Sequence, residues 1–118
     1  MSETAPPVSP LVSLEEFRKI VLRVGVIVSA KEHPNADRLL ILEVNVGESA
    51  PRQLVAGIKQ GYQASELIGK SVIVVANLQP AAIRGVESQG MVLAAQDETT
   101  LSLLGLDRPS IRPGSGVK

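Results

Sequence analysis

Five short apolar runs, rich in β-branched residues and bounded by turn-forming residues, set the rhythm of the chain. "IVLRVGVIVSA", from Ile20 to Ala30, is the first, and Gly25 inside it marks a bulge or a sharp bend. "LLILEVNV" is the second; its latter half alternates, with Leu42, Val44 and Val46 on one face and Glu43 and Asn45 on the other. "QLVAGI" is the third. "ASELIGK" reads as a short helix, with Ser65 near its start and Gly69 closing it. "SVIVVANL" and "GMVLAAQ" supply the fourth and fifth strands. Upstream, Met1 to Val12 carries three prolines and reads as a flexible arm. Ser13 then caps a helical turn, with Glu15 and Glu16 where the helix dipole favours acids.

Three strands, a short helix and two more strands is the chain order of the OB-fold, an all-β, five-stranded, partly open barrel. The domain is expected over residues 13–96. Residues 97–118 form a C-terminal extension whose "LSLLGL" is too apolar for solvent, so it packs on the barrel or against a second subunit. Ligands of an OB-fold lie across strands two and three, framed by the loops that follow strands one and four. Here those loops are "EHPNADR" and the long "NLQPAAIRGVESQGM", Asn77 to Met91, which therefore face the same side.

Composition narrows the partners. The chain has 118 residues, the size of one domain, with no cysteine and therefore no disulfide framework or thiolate metal site. No apolar run has the length of a membrane span, and the start of the chain lacks a signal-peptide pattern, so a cytoplasmic protein with no membrane partner is expected. Twelve basic residues balance twelve acidic ones, so net charge does not announce a nucleic-acid partner. Phe17 and Tyr62 are the whole aromatic complement. A platform of stacked rings for single strands is thereby excluded.

Catalytic motifs fail on inspection. "IGKS" resembles the end of a phosphate loop, but Ala64 stands where the first glycine belongs and a strand follows instead of a helix. "VESQG" around Ser88 has Val86 in the place of a nucleophile elbow's first glycine, and His33, the sole histidine, sits in the other loop. A metal site would have to combine His33 with Glu32 and Asp37, which pairing with Lys31 and Arg38 explains more simply. No enzyme, no metal and no cofactor are expected.

"LRVGVIVSAKEHPNADRLLILEVNVG", "RQLVAGI" and "SVIVVANLQPAAIRGVESQGMVLAA" together closely resemble the tRNA-binding domain family, and "DRPSIRPGSGVK" resembles its closing segment. The family includes domains appended to methionyl-tRNA synthetases, free-standing dimeric tRNA-binding proteins and modules of synthetase complexes. The resemblance implies an OB-fold homodimer that binds tRNA without catalysis, as an auxiliary of an aminoacyl-tRNA synthetase or as a tRNA chaperone. By position it implies Asn77, Arg84, Ser88 and Met91 in the long loop as RNA-binding residues, with Asn35 and Arg38 in the first loop. Arg84 offers a fork for phosphate, and Asn77 and Ser88 offer hydrogen bonds to sugar or base edges. Met91 would pack on an apolar face or belong to the core. Gly85 and Gly90 would permit close backbone approach. Glu87 is expected to hold Arg84 or tie down loop backbone. Val21 stands where the family usually has aspartate, and Gln79 and Ala82 where it tends to have lysine, so binding weaker than a lysine-rich loop would give is expected. The rival reading is a peptide-binding module like the family's secretion-chaperone branch.

Overall fold

The computed structural model describes residues 10–118; most of the expected N-terminal arm lies outside them. The elements run α1 (Leu14–Phe17), β1 (Leu22–Glu32), β2 (Leu40–Asn45), β3 (Arg52–Ala56), α2 (Ala64–Leu67), β4 (Ser71–Val75), β5 (Ala81–Ile83), β6 (Val86–Ser88), β7 (Met91–Val92), β8 (Ala94–Gln96), β9 (Leu101–Leu103) and β10 (Gly116–Val117). Ser13 caps α1 as expected: its Oγ accepts from the Glu16 N–H at 3.0 Å, and Glu16 reaches back to the Ser13 N–H.

β1 pairs antiparallel with β2 on one side and β4 on the other; β3 adds to β2 and β7 to β4, giving the order β3-β2-β1-β4-β7. β3 and β7 pack against one another where the ring meets itself. The result is the nearly closed five-stranded barrel of an OB-fold, as the strand order indicates. Alternation in β2 decides its register: Leu42, Val44 and Val46 point into the core while Glu43 faces solvent. Leu54, Val72, Val74 and Leu67 of α2 complete a core of aliphatic side chains. Each such residue contributes roughly 1.5–3 kcal/mol by leaving water.

The bulge lies elsewhere than expected. Register against β2 shifts between Ile27 and Ser29, making exposed Val28 the extra residue. Gly25 instead serves close packing, because a Cβ there would stand 2.5 Å from Val44 Cγ1. The expected fifth strand divides at Leu93: β7 follows β4, then β8 turns away to pair with β9. That hairpin accounts for "LSLLGL", since Leu101 and Leu103 pack on the core and the Leu103 N–H donates to the Tyr62 hydroxyl at 2.9 Å. Further on, β10 pairs with the start of β1, Leu22 opposite Val117.

The seam between β3 and the end of β6, just ahead of β7, is closed by side chains. Gln89 Oε1 accepts from the Gln53 N–H at 2.9 Å, Ser88 Oγ accepts from the Val55 N–H at 3.0 Å, and Gln53 Nε2 donates to the Glu87 carbonyl at 2.7 Å. One main-chain bond, Gln89 N–H to Gln53 carbonyl at 2.8 Å, joins them. Arg52 braces the end of this junction. Its Nη1 donates to the carbonyls of Ala76 and Gln89 at 2.6 and 3.1 Å, and Nε and Nη2 grip both oxygens of Glu48 at 2.8 and 2.7 Å. That grip holds the Glu48 carboxyl below its ordinary range and raises the Arg52 guanidinium.

Candidate nucleic-acid interface

The long stretch from Asn77 to Met91 is not an irregular loop. Its centre folds into the hairpin β5–β6, with Ala81 opposite Ser88 and Ile83 opposite Val86. Arg84 and Gly85 form the two-residue turn, at φ of 53° and 89°. Positive φ at both central positions is the backbone of a type I′ turn, whose twist matches the strands it joins. Gly85 adopts it freely. Arg84 is the sole non-glycine residue at positive φ among the described residues.

This turn leans on the first loop, residues 33–39, which closes through the His33 N–H to Leu39 carbonyl bond at 3.2 Å. Arg84 Nη2 donates to the Asn35 carbonyl at 3.0 Å, and the buried His33 ring contacts the Ile83 carbonyl at 3.0 Å. Between the two loops lies an open cleft of about 430 Å³, walled by Asn35, Asp37, Arg38 and Arg84. Arg38 is exposed and forms no ion pair among the described residues. Glu32 pairs instead with Lys59, at 3.1 Å, so the expected pairing within the first loop is not found. Glu87 makes no ion pair with Arg84; its carbonyl is tied down by Gln53, and its carboxylate faces solvent.

Asn35, Arg38, Arg84 and Gly85 thus come together at one rim. Met91 lies half-exposed beside a separate, more apolar cleft of about 380 Å³ with Val55, Ile58, Leu93 and Leu101. Gly90, just before β7, lies between β4 and β3, and a Cβ there would be 2.8 Å from the Val75 carbonyl oxygen, so its close approach is to the protein itself. Ser88 is buried, donating to the Gly90 carbonyl at 2.9 Å while it accepts from Val55. Asn77 sits at the far end of the stretch. Its Oδ1 accepts from the Val21 N–H at 2.9 Å and its Nδ2 donates to the Lys19 carbonyl at 2.6 Å, fastening the segment after α1 to the barrel. Among the described residues no group of three or more histidine, cysteine, aspartate or glutamate side chains is placed to hold a metal ion.

Comparison with known proteins identifies the lineage of this face. The tRNA binding domain family matches residues 22–115. The chain belongs to that family. Over 107 residues, 91% of its length, it is 52% identical to a methionine–tRNA ligase of Thermococcus kodakarensis. It spans only 14% of that enzyme. Among solved structures it superposes on a MetRS related protein from Pyrococcus horikoshii with a TM-score of 0.84 and 32% identity, covering 93% of this chain and all of the other. Chaperone CsaA of Bacillus anthracis gives 0.82 and 27%, covering 92% of this chain and all of CsaA. The family match therefore covers all five barrel strands and runs through residue 115, into the segment that the sequence sets apart as an extension.

Two features, one at this interface and one at the barrel seam, escape sequence reasoning. His33 reads as a stray histidine because its partner Ile83 lies 50 positions away. The Arg52–Glu48 brace is a spacing of four residues across a turn, a signal that in isolation suggests only a surface ion pair.

Proposed function

We propose that this tRNA-binding domain holds tRNA by its backbone and shape at the rim between the first loop and the β5–β6 turn. Arg84 and Arg38 contact phosphates, Asn35 reaches sugar or phosphate, and Met91 covers an apolar sugar or base face. Asn77 and Ser88 contribute from behind, by fixing the ends of the long stretch. The observation that carries this reading is the convergence of two arginines from separate loops on one open cleft. Guanidinium groups in such an arrangement suit anionic oxygen, and the scarcity of aromatic rings leaves shape and backbone as the means of recognition. The domain acts without catalysis, as an auxiliary of an aminoacyl-tRNA synthetase in the cytoplasm or as a tRNA chaperone. Its exposed Leu11, Leu14, Phe17 and Ile20 suit a homodimer interface.

Fluorescence anisotropy of labelled bulk tRNA across a salt series tests the reading. Wild type is expected to bind saturably and more weakly as salt rises. An Arg38→Ala, Arg84→Ala double variant is expected to lower the slope of log affinity against log salt by about 1.4–1.8, for two phosphate contacts. Absence of binding at low salt overturns it. The likeness to CsaA together with the apolar cleft beside Met91 favours a second reading, peptide binding, which the same titration with labelled unfolded peptides would reveal.

A further inference from the structure

We propose that His33 is the positioning residue of this interface: its imidazole joins the first loop to the β5–β6 turn, so that Arg84 is held beside Arg38. The inference rests on the tRNA reading above for its consequence, though not for its geometry. His33 is 5% exposed and follows directly on β1. Its Nδ1 accepts from the Asn35 N–H at 3.0 Å. A ring nitrogen that accepts carries no proton, so the proton of the neutral ring is on Nε2, which donates to the Ile83 carbonyl at 3.0 Å. Ile83 is the residue immediately before the Arg84–Gly85 turn. Arg84 returns the connection by donating to the Asn35 carbonyl. The four residues His33, Ile83, Arg84 and Asn35 close a ring in which each link is either a hydrogen bond or a peptide bond.

Among the described residues, the His33–Ile83 and Arg84–Asn35 bonds are the two hydrogen bonds that cross between these loops. The Arg84 bond uses a donor of the group that is to meet phosphate, so it competes with ligand. The His33 bond, part-buried and made by a ring that is itself buried, does not. His33 therefore keeps the turn in place while Arg84 exchanges its partner, and the ordering is complete before RNA arrives.

Two conservative variants separate the imidazole's two hydrogen bonds. In His33→Gln the amide nitrogen stands as many bonds from Cα as Nε2 and can still donate to Ile83. In His33→Asn the amide oxygen matches Nδ1 and can still accept from Asn35, but the bond across the loops is lost. Each variant forfeits one partly buried hydrogen bond, so a merely structural histidine predicts equal losses in Tm and equal effects on binding. Positioning predicts a split. His33→Gln keeps tRNA affinity within about twofold of wild type, while His33→Asn weakens it about three- to tenfold, the range of one net hydrogen bond.

The 15N relaxation of Arg84 and Gly85, measured without tRNA, should give order parameters near about 0.85 in wild type and His33→Gln and below about 0.6 in His33→Asn. Equal affinity or equal turn mobility in the two variants overturns the proposal. The imidazole 15N spectrum of wild type needs no variant to fold; a proton on Nδ1 instead of Nε2 overturns it as well. If wild type binds no tRNA, the functional reading and the consequence drawn from it both fall, while relaxation still decides whether His33 joins the loops.

Discussion

Arg84 and Asn35, 49 positions apart, are joined by a guanidinium-to-carbonyl hydrogen bond of 3.0 Å that brings the tips of two loops together. The arginine reaches this partner from a backbone conformation that few side chains adopt. A lysine there has a single ammonium and no planar fork, so on leaving the carbonyl it cannot meet a phosphate with two parallel bonds. Arg84→Lys is therefore expected to weaken tRNA binding about three- to tenfold, most of the loss shown by Arg84→Ala. Anisotropy titrations of the two variants side by side would check it; a lysine variant equal to wild type would mean that charge alone suffices.

Ser88 belongs to the barrel's closure. Ser88→Ala leaves the Val55 N–H without its partner and is expected to cost about 1–3 kcal/mol of stability. Denaturant unfolding would measure this. At temperatures where the variant is folded, its tRNA affinity should stay within about twofold of wild type; a large loss of affinity at unchanged stability would make Ser88 a direct contact.

Arg52→Lys should be nearly as damaging to stability as Arg52→Ala. Both give up the grip on Glu48 and at least one of the carbonyl contacts to Ala76 and Gln89. A loss of about 2 kcal/mol is expected for either, since charge-assisted bonds in a fixed fork are what the site uses. Urea melts of the three proteins distinguish this from a simple charge requirement.

The Glu48–Arg52 pair also sets a pH dependence. Glu48 has its pKa lowered, first by the hydrogen bond from Arg52, relative to an ordinary value of 4.5. Its contribution to stability is whole above that unfolded-state value and is lost as pH falls through the lower folded-state value. Wild type should therefore exceed Glu48→Gln in stability at neutral pH, and the gap should narrow below about pH 4.5. Thermal melts from pH 7 to pH 3 would show a constant gap if the pair contributes nothing.

What the sequence disclosed follows the reach of its signals. The N-cap at Ser13, the alternation through Leu42, Val44 and Val46 and the order of strands are local patterns, and each is found in the fold. The hairpin inside the long stretch stays hidden in the sequence because an arginine at the first turn position masks a type I′ turn whose usual signature is Asn-Gly. Gly25 reads as a bulge or a sharp bend because what the glycine answers to, Val44, lies on another strand. The candidate residues are legible by kind, while their hydrogen-bond partners are not. Whether Asn77 or Ser88 has a hydrogen bond to spare depends on Val21, Lys19, Val55 and Gly90, contacts that only the closed barrel creates.

Closing β3 with the side chains of Ser88 and Gln89 has a consequence for how the molecule behaves in a crowd. A ladder strand with free N–H groups is a template on which another chain can grow, and the caps at Gln53 and Val55 deny it that template. Two polar side chains from the long stretch thus guard against polymerisation as well as shutting the barrel. Variants such as Gln89→Ala that remain folded would be recruited into fibres sooner than their melting temperatures alone would suggest.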